Sequence, residues 1–489
     1  MRKNFITNIG FLLFLNLLVK PFWILGIDRT VQNTLGPEVY GVYFALFNFS
    51  YLFQVVLDFG INNYNNRQVA QDPQTLGRNI MSTLVLKLLL GVVYTIIVFI
   101  AAFGVQFSGE QFQILGLLVL MQIALSFYTF LRSNVNALHL FRTDAVLSIL
   151  DKLTTSILCA WIFWGASGIT MSIPLFIWIQ IGGFVVAILV AVAVLSRQKL
   201  TISNRIDKAL IKNIFKGSLP YALLGFLMTA YYRTDGVMLE RMLGDKGPYQ
   251  AGIYASAFRL LDAMSILGFL MAGMLMPMFA RMISQNTSVK PLLDLGFQIM
   301  LICSISAGIA CLIHREDIMQ LLYHVHDPSA GSIFGWLMAS FICISLTYVY
   351  GSLITAHGSI KMLNYISFGG FILNIILNLM LIPEQQALGS AKATVFAQVL
   401  ILLAHIAVAH RLFSLGSNLS KWLRSIFYLA AVIGVNLLIA VFNISWTWQW
   451  VIGLASGAFL AIPAGIINMT EVRSLKTVMQ SAIARRQGS

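Results

Sequence analysis

The sequence predicts an all-α integral membrane protein of about fourteen transmembrane helices, on three observations. Hydrophobic residues make up 58% of the 489 positions and charged residues only 10%, with a mean hydropathy of +0.82. A soluble domain carries about 25% charged residues. The apolar runs continue for about 20 residues or more, the length that crosses a bilayer as a helix. Strands of a membrane barrel would instead alternate over about 10 residues. Turn-forming pairs punctuate the runs at Gly36-Pro37, Asp72-Pro73, Gly247-Pro248, Asp327-Pro328 and Pro383-Glu384.

Taken in order, the predicted spans are roughly 5–28, 37–60, 79–104, 111–138, 144–166, 170–195, 217–243, 250–281, 291–313, 330–357, 361–382, 388–410, 422–442 and 447–468. The eighth and tenth are long enough to tilt or to extend past the hydrocarbon. No cleavable signal peptide is expected, because the first run holds Lys20-Pro21 and no small-residue cleavage site follows it. The four cysteines, Cys159, Cys303, Cys311 and Cys343, lie in apolar runs without metal-ligand spacing and read as small buried hydrophobes.

The net charge is +14. In a soluble protein that would point to nucleic acid; here the basic residues sit at span ends on alternate loops, and nucleic acid is not expected. One set of loops collects 21 basic residues, the other only Arg29, Lys246 and Arg315. By the positive-inside rule both termini are cytoplasmic, and an even number of spans is required. The segment 196–216, with six basic residues, separates an N-terminal six-span bundle (1–195) from a second one (217–410). Spans 13 and 14 (411–468) and a basic cytoplasmic tail (469–489) follow.

The two blocks resemble one another at the entry to their second spans. Leu35-Gly36 leads to Tyr40-Gly41-Val42-Tyr43, and Leu243-Gly244 leads to Ala251-Gly252-Ile253-Tyr254. Six spans per block give both copies the same orientation, hence two bundles related by an axis along the membrane normal, with a cavity between them.

No nucleotide-binding Gly-Lys-Ser/Thr loop and no His-Glu-x-x-His is present. His324-Val325-His326-Asp327 reads as a solvated loop rather than a metal site, and no cofactor is expected. The telling residues are charges inside apolar runs, since a cation at the centre of a membrane helix costs about 2.5–3.5 kcal/mol on insertion scales. Lys20, Arg233, Arg259 and Lys392 fall in the outer half, and Asp58, Lys87, Arg132, Asp151 and Lys152 in the inner half. Asn16 and Lys20 share a face, as do Arg259 and Asp262, and Asn374 and Asn378. Arg132 and Asp151 sit at one depth and are expected to pair. Lys87, Lys152 and Lys392 are near enough to helix ends to snorkel. A cavity lined by Lys20, Arg233, Arg259, Arg132, Lys392, Asn16, Asn374 and Asn378 suits an anionic cargo.

The stretch Asn374-x3-Asn378-x3-Ile382-Pro383 followed by Ala387-Leu388-Gly389-Ser390-Ala391-Lys392-Ala393-Thr394, with Asp58-Phe59-Gly60-Ile61-Asn62-Asn63-Tyr64 and Arg67-Gln68-Val69-Ala70, resembles a known family. It is that of the Wzx-like oligosaccharide and polysaccharide flippases, within the multidrug/oligosaccharidyl-lipid/polysaccharide superfamily. Lys392 departs from a position that is usually small or aliphatic there. The resemblance implies a non-enzymatic, alternating-access flippase in the bacterial cytoplasmic membrane. Its cargo would be an undecaprenyl-diphosphate-linked oligosaccharide: an O-antigen, capsule or exopolysaccharide repeat unit. A glycan polymerase and other assembly proteins would be its partners. With no nucleotide site, an H+ or Na+ gradient or the gradient of the lipid-linked cargo itself is the implied energy source, with Asp58, Asp235 and Asp262 as ion-coupling candidates. The alternatives are a MATE-like multidrug antiporter, which would favour acidic cavity residues, and a membrane glycan polymerase, which would need a larger outer loop.

Overall fold

A computed structural model describes residues 15–16, 18–165, 168–198, 208–324, 327–416 and 419–466. The predicted tail (469–489) lies outside these residues, as do much of the first span and part of the 196–216 segment. All elements among the described residues are helical. A π-helical turn, Trp23–Asp28, runs into α1 (Arg29–Leu52). Gly36, at φ 80° and ψ 166°, breaks α1 one residue before Pro37. That is the predicted boundary between spans 1 and 2: a left-handed φ needs glycine, and proline then restarts the helix.

The second span is shorter than expected. It ends at Leu52 and continues as the short α2 (Val55–Asp58), where Phe59 (φ 44°) and Gly60 (φ 78°) stop it. The expected loop after it is mostly helical, as α3 (Ile61–Gln71). Then come α4 (Gln74–Gly104), α5 (Gly109–Ala137), α6 (Phe141–Trp164) and α7 (Ile173–Ser196). Ser108 and Gln111 form a reciprocal capping box at the start of α5, and the Ser172 side chain accepts from Leu175 N at the start of α7. After α8 (Lys208–Met242) and α9 (Gly247–Ser284) come α10 (Lys290–Ile313), the short α11 (Arg315–Leu322), α12 (Pro328–His357), α13 (Ile360–Phe413), α14 (Leu419–Val441) and α15 (Trp446–Leu460). At 54 residues α13 would run about 80 Å at 1.5 Å per residue. It makes two passes instead, separated by Gln386 at φ 53° and ψ −134°, three residues after Pro383.

Among the described residues, nine helical stretches are long and apolar enough to cross a membrane. Their outward faces are apolar. On α4, Leu88, Val92, Ile96, Ile100 and Phe103 are exposed, while Leu86, Leu90, Tyr94 and Val98 are buried on the other side. Such a surface needs hydrocarbon around it. Cys159 and Cys311 are buried as expected, but Cys303 is exposed.

The chain divides into two compact units. The first holds residues 1–263, 322–325 and 378–390, the second 264–321, 326–377 and 391–489. In the first, the two repeat entries cross each other. A β-carbon on Gly41 would stand 1.8 Å from Pro248 O, and one on Gly252 would stand 1.9 Å from Pro37 O. Each copy of Pro-x3-Gly-aliphatic-Tyr therefore touches the other copy's proline with its glycine, a local two-fold arrangement. In the second unit Gly453 and Gly457, four residues apart on α15, pack closely: a β-carbon on either would stand 2.1 Å from Asn436 Oδ1 or Ser306 Oγ respectively. Tyr428 OH donates to Gly457 O at 2.9 Å and lies 3.1 Å from Ser306 Oγ.

Any side chain at Gly41 or Gly252 meets backbone that cannot yield. Gly41→Val and Gly252→Val are each expected to destabilise by about 1–3 kcal/mol, the usual cost of overpacking. Gly434→Ala, at a helix position with open space around it, should be neutral or better. Thermal unfolding of the three purified variants in detergent checks the order.

Candidate functional site

Three charged clusters lie inside the first compact unit, each built from helices that the breaks at Gly36, Phe59 and Gly60 bring to their places. The first joins α1, α8 and α9. Tyr40, Phe44, Phe47, Asn48 and Tyr51 recur at helical spacing along α1 and present one face. Arg259 Nε lies 3.0 Å from Asp28 Oδ2 and 3.2 Å from Tyr40 OH, and Tyr40 OH donates to both Asp28 oxygens at 2.9 Å. The guanidinium also lies 5.7 Å from the Phe44 and Phe47 ring centroids. Arg233 Nη1 sits 3.6 Å from Asp262 Oδ2 and donates to Asn48 Oδ1 at 3.4 Å, beneath the rings of Tyr51 and Phe258. Asp262 also stands 3.9 Å from Arg259 Nη1. Two arginines thus face two carboxylates, and the cluster is neutral overall. The pairing of Arg259 with Asp262 read from their spacing is present but is the longer contact. Asp28, which closes the shorter one, lies at the end of span 1, where a charge looks like a helix end.

Two residues beyond Arg233 on α8, Asp235 is buried and accepts from Tyr254 OH at 2.7 Å and from Asn378 Nδ2 at 2.8 Å. Each repeat therefore carries a buried Tyr–Asp pair, Tyr40–Asp28 and Tyr254–Asp235, beside its crossing glycine. Asn374 and Lys392 belong to the second unit. Asn374 is buried, and Lys392 Nζ stands 5.7 Å from the Trp336 ring centroid.

The second cluster corrects two expectations. Lys20 does not lie with the outer cations: it interacts electrostatically with Arg132, Asp151 and Lys152. The reason is length. Asp28, not Lys20, reaches Arg259, and the eight-residue step from Lys20 to Asp28 climbs about 12 Å along a helix. Arg132, for its part, pairs with Asp144 rather than Asp151, at 2.6 Å from Nε to Oδ1, and Asn136 Nδ2 donates to the other oxygen at 3.0 Å. Two residues of α6, Asp144 and Asp151, are seven apart and lie on one side of the helix, so either could have met α5. The sharp α5–α6 turn places the nearer one beside Arg132. Lys152 lies 3.8 Å from Asp151 and 4.6 Å from the Trp23 ring centroid, and Asn16 Nδ2 donates to Ser148 Oγ at 2.9 Å.

This second cluster is not neutral. Lys20, Arg132 and Lys152 stand against Asp144 and Asp151. The carboxylate side chains are 4% and 9% exposed, whereas those of Arg132 and Lys152 are 31% and 25% exposed. The acids lie behind and the cations in front, an arrangement that offers charge-assisted hydrogen bonds to an incoming anion.

The third cluster surrounds Lys87, which is 1% exposed and does not snorkel. Its ammonium reaches Ser126 Oγ at 2.9 Å, Leu57 O at 3.2 Å and Asp58 Oδ1 at 3.4 Å. The break at Phe59 frees the Leu57 carbonyl from helical pairing, and Lys87 and Ser126 Oγ both donate to it. No sequence pattern marks this contact, because it depends on where α2 stops. Of the histidine loop, Val325 and His326 lie outside the described residues; Asp327 caps α12 by accepting from Ser329 N at 2.8 Å.

Replacing Asp28 by Asn strands the Arg259 guanidinium in the interior, and breaking a buried pair costs about 3–5 kcal/mol. Asp28→Asn should lower the thermal midpoint sharply, while adding Arg259→Gln should recover a large part of the loss. Additive losses in this double-mutant cycle would show that the two side chains do not act as a pair.

A family model described as "Polysaccharide biosynthesis protein" matches residues 5–283. No curated protein sequence matches. The lipid II flippase MurJ in an inward closed conformation has the same fold, at 14% identity over 93% of this chain and 97% of that one, with a TM-score of 0.71. An inward-facing multidrug resistance MATE family transporter of the MOP superfamily aligns at 14% identity over 80% and 94%, with a TM-score of 0.65. A MOP superfamily transporter from Pyrococcus furiosus Vc1, described by the reverse polarity of its binding pocket, aligns at 13% identity over 83% and 94%, with a TM-score of 0.58.

Proposed function

Because the chain belongs to the polysaccharide biosynthesis protein family, we propose that it is a flippase for an oligosaccharide carried on undecaprenyl diphosphate. It would move this cargo across the bacterial cytoplasmic membrane by alternating access. The observation that carries the reading is the net positive cluster of Lys20, Arg132 and Lys152, with its carboxylates behind it. A diphosphate presents several anionic oxygens, and three cations on three helices can hold them at once. The excess of 21 basic residues over 3 in alternate loops puts both termini in the cytoplasm, and Arg132 lies toward that side. Lys20, Arg132 and Lys152 then meet the cargo where it enters.

Arg233 and Arg259 take a different part in this scheme. Their charges are held by Asp262 and Asp28 at rest. The cargo would engage them by exchanging for those carboxylates, so they serve a later stage of transfer. Asn16 steadies the entry through Ser148, and Asn378 steadies Asp235. The energy source in this reading is an H+ or Na+ gradient. Of the coupling candidates, Asp58 combines a buried ammonium partner with a half-exposed carboxylate, Asp235 is fully enclosed, and Asp262 is spoken for by two guanidinium groups. The transferred unit would pass to a glycan polymerase on the far side.

The fold shared with MATE transporters keeps a drug antiporter as the rival. A carrier of organic cations needs uncompensated acids, and in the second cluster the uncompensated charge is positive.

In cells lacking the wild-type gene, Lys20→Ala, Arg132→Ala and Lys152→Ala should each reduce surface glycan about tenfold or more, one strong charged hydrogen bond being worth about 1.5–3 kcal/mol. The measurement is surface polysaccharide set against membrane protein level. Full export from all three at normal abundance would remove the anion-binding role, and drug sensitivity of the deletion strain with intact glycan would favour the antiporter.

A further inference from the structure

The second compact unit has a small polar cavity of its own, about 40 Å³, where the basic ends of α10, α13 and α14 meet the interior of α12. Lys290 and Asp294 from α10, Tyr350 from α12, His410 from α13, and Lys421 and Trp422 from α14 line it. Its walls are built rather than incidental. Phe297 is buried at the centre, with Tyr350 and Trp422 edge-on to it at 6.1 and 5.8 Å. Lys421 Nζ lies 4.5 Å from the Phe297 ring centroid and 2.5 Å from Asp294 Oδ1. That pair fixes the lysine and removes one charge of each sign. Lys290 remains, with no carboxylate paired to it among the described residues, and His410, in the same lining, adds a donor. Tyr350 brings a hydroxyl.

We propose that this cavity binds the phosphate of an anionic phospholipid headgroup from the leaflet on the basic side. The size fits: a water needs about 10–15 Å³, so the space takes about three water-sized groups, enough for the two free oxygens of a phosphodiester. The chemistry fits as well, with Lys290, His410, Lys421 and Tyr350 as donors around one acceptor group. Location selects a lipid over a free ion. Basic pockets between membrane helices at the cytoplasmic side receive anionic headgroups, and tryptophan and tyrosine mark the interfacial level. The helix that supplies Lys421 also turns Leu423, Ile426 and Phe427 outward at 56–64% exposure, so the cavity borders hydrocarbon. None of these residues belongs to the clusters of the first unit, and the proposal does not depend on the cargo assigned there.

Native mass spectrometry of the delipidated full-length protein in detergent tests it, with phosphatidylglycerol, phosphatidylcholine and inorganic phosphate added in separate titrations. Phosphatidylglycerol should bind at least about tenfold more tightly than phosphatidylcholine. Lys290→Gln and His410→Gln should each weaken it about three- to tenfold. Lys290 is exposed, so its variant keeps the fold even where Lys421→Gln does not. Equal binding of the two lipids, or phosphatidylglycerol binding untouched in the Lys290 and His410 variants, would overturn the site. Inorganic phosphate that binds as tightly as the lipid and displaces it would overturn the assignment to a headgroup.

Discussion

A cation cannot stay in hydrocarbon without a counter-charge, and the interior of the first compact unit is arranged around that constraint. Five of its basic side chains have a carboxylate within reach: Arg259 has Asp28, Arg233 has Asp262, Lys87 has Asp58, Arg132 has Asp144 and Lys152 has Asp151. Most of the acids lie on a different helix from their partner, so the pairs also act as registration marks. Arg259 can meet Asp28 only if the chain reverses at Gly36, and Lys87 can reach the Leu57 carbonyl only if α2 ends at Phe59. The backbone breaks and the ion pairs therefore depend on each other. Desolvation makes a wrong register costly, and the left-handed residues make the right one reachable.

Much of the fold was legible because the membrane simplifies the reading. Apolar length marks the spans, and Gly-Pro, Asp-Pro and Pro-Glu pairs mark their ends. The predicted limits of the third to sixth and the ninth and tenth spans fall within a few residues of α4 to α7, α10 and α12. What escaped was local. The second span looked continuous to residue 60 because nothing apolar is missing from Val55 to Phe59; the break rests on φ 44° at Phe59 and φ 78° at Gly60. The short helices α3 and α11 escaped because they are polar and connect spans rather than forming them.

The candidate site was legible in its residues and not in its grouping. Lys20, Arg132, Arg233 and Arg259 were found from the energetic oddity of charge in an apolar run. Of their partners only Asp262 was, because a carboxylate at a helix end, as at Asp28 and Asp144, carries no such oddity. Asp28 and Asp144 both looked like span ends, and both proved to be the closest acids to an arginine. Depth was misread for Lys20 for a related reason: counting residues from a span boundary ignores which part of the helix makes the tertiary contact. The repeat, in contrast, held more than its few matching letters suggested. Gly41 against Pro248 and Gly252 against Pro37 are the same contact made twice, which a chance likeness between helix starts would not produce.

The difference in charge between the clusters bears most directly on how such a protein would work. In the neutral one, an approaching anion must compete with Asp28 and Asp262 for the two guanidinium groups. In the positive one, an anion meets three cations whose carboxylates are already turned inward. In the flippase reading proposed above, a diphosphate would therefore gain more at Lys20, Arg132 and Lys152 than at Arg233 and Arg259 for as long as the helices hold this arrangement. Moving it onward requires the second pair of cations to lose their carboxylates. For Arg259 that loss is a displacement of α1, with the Asp28 turn that leads into it, against α9, the two helices whose glycines cross at Gly41 and Gly252; for Arg233 it is a displacement of α8 against α9. The crossing without side chains and the Asp28–Arg259 salt bridge beside it thus form one structural element, and separating these helices would release Arg259 while Arg233 kept Asp262.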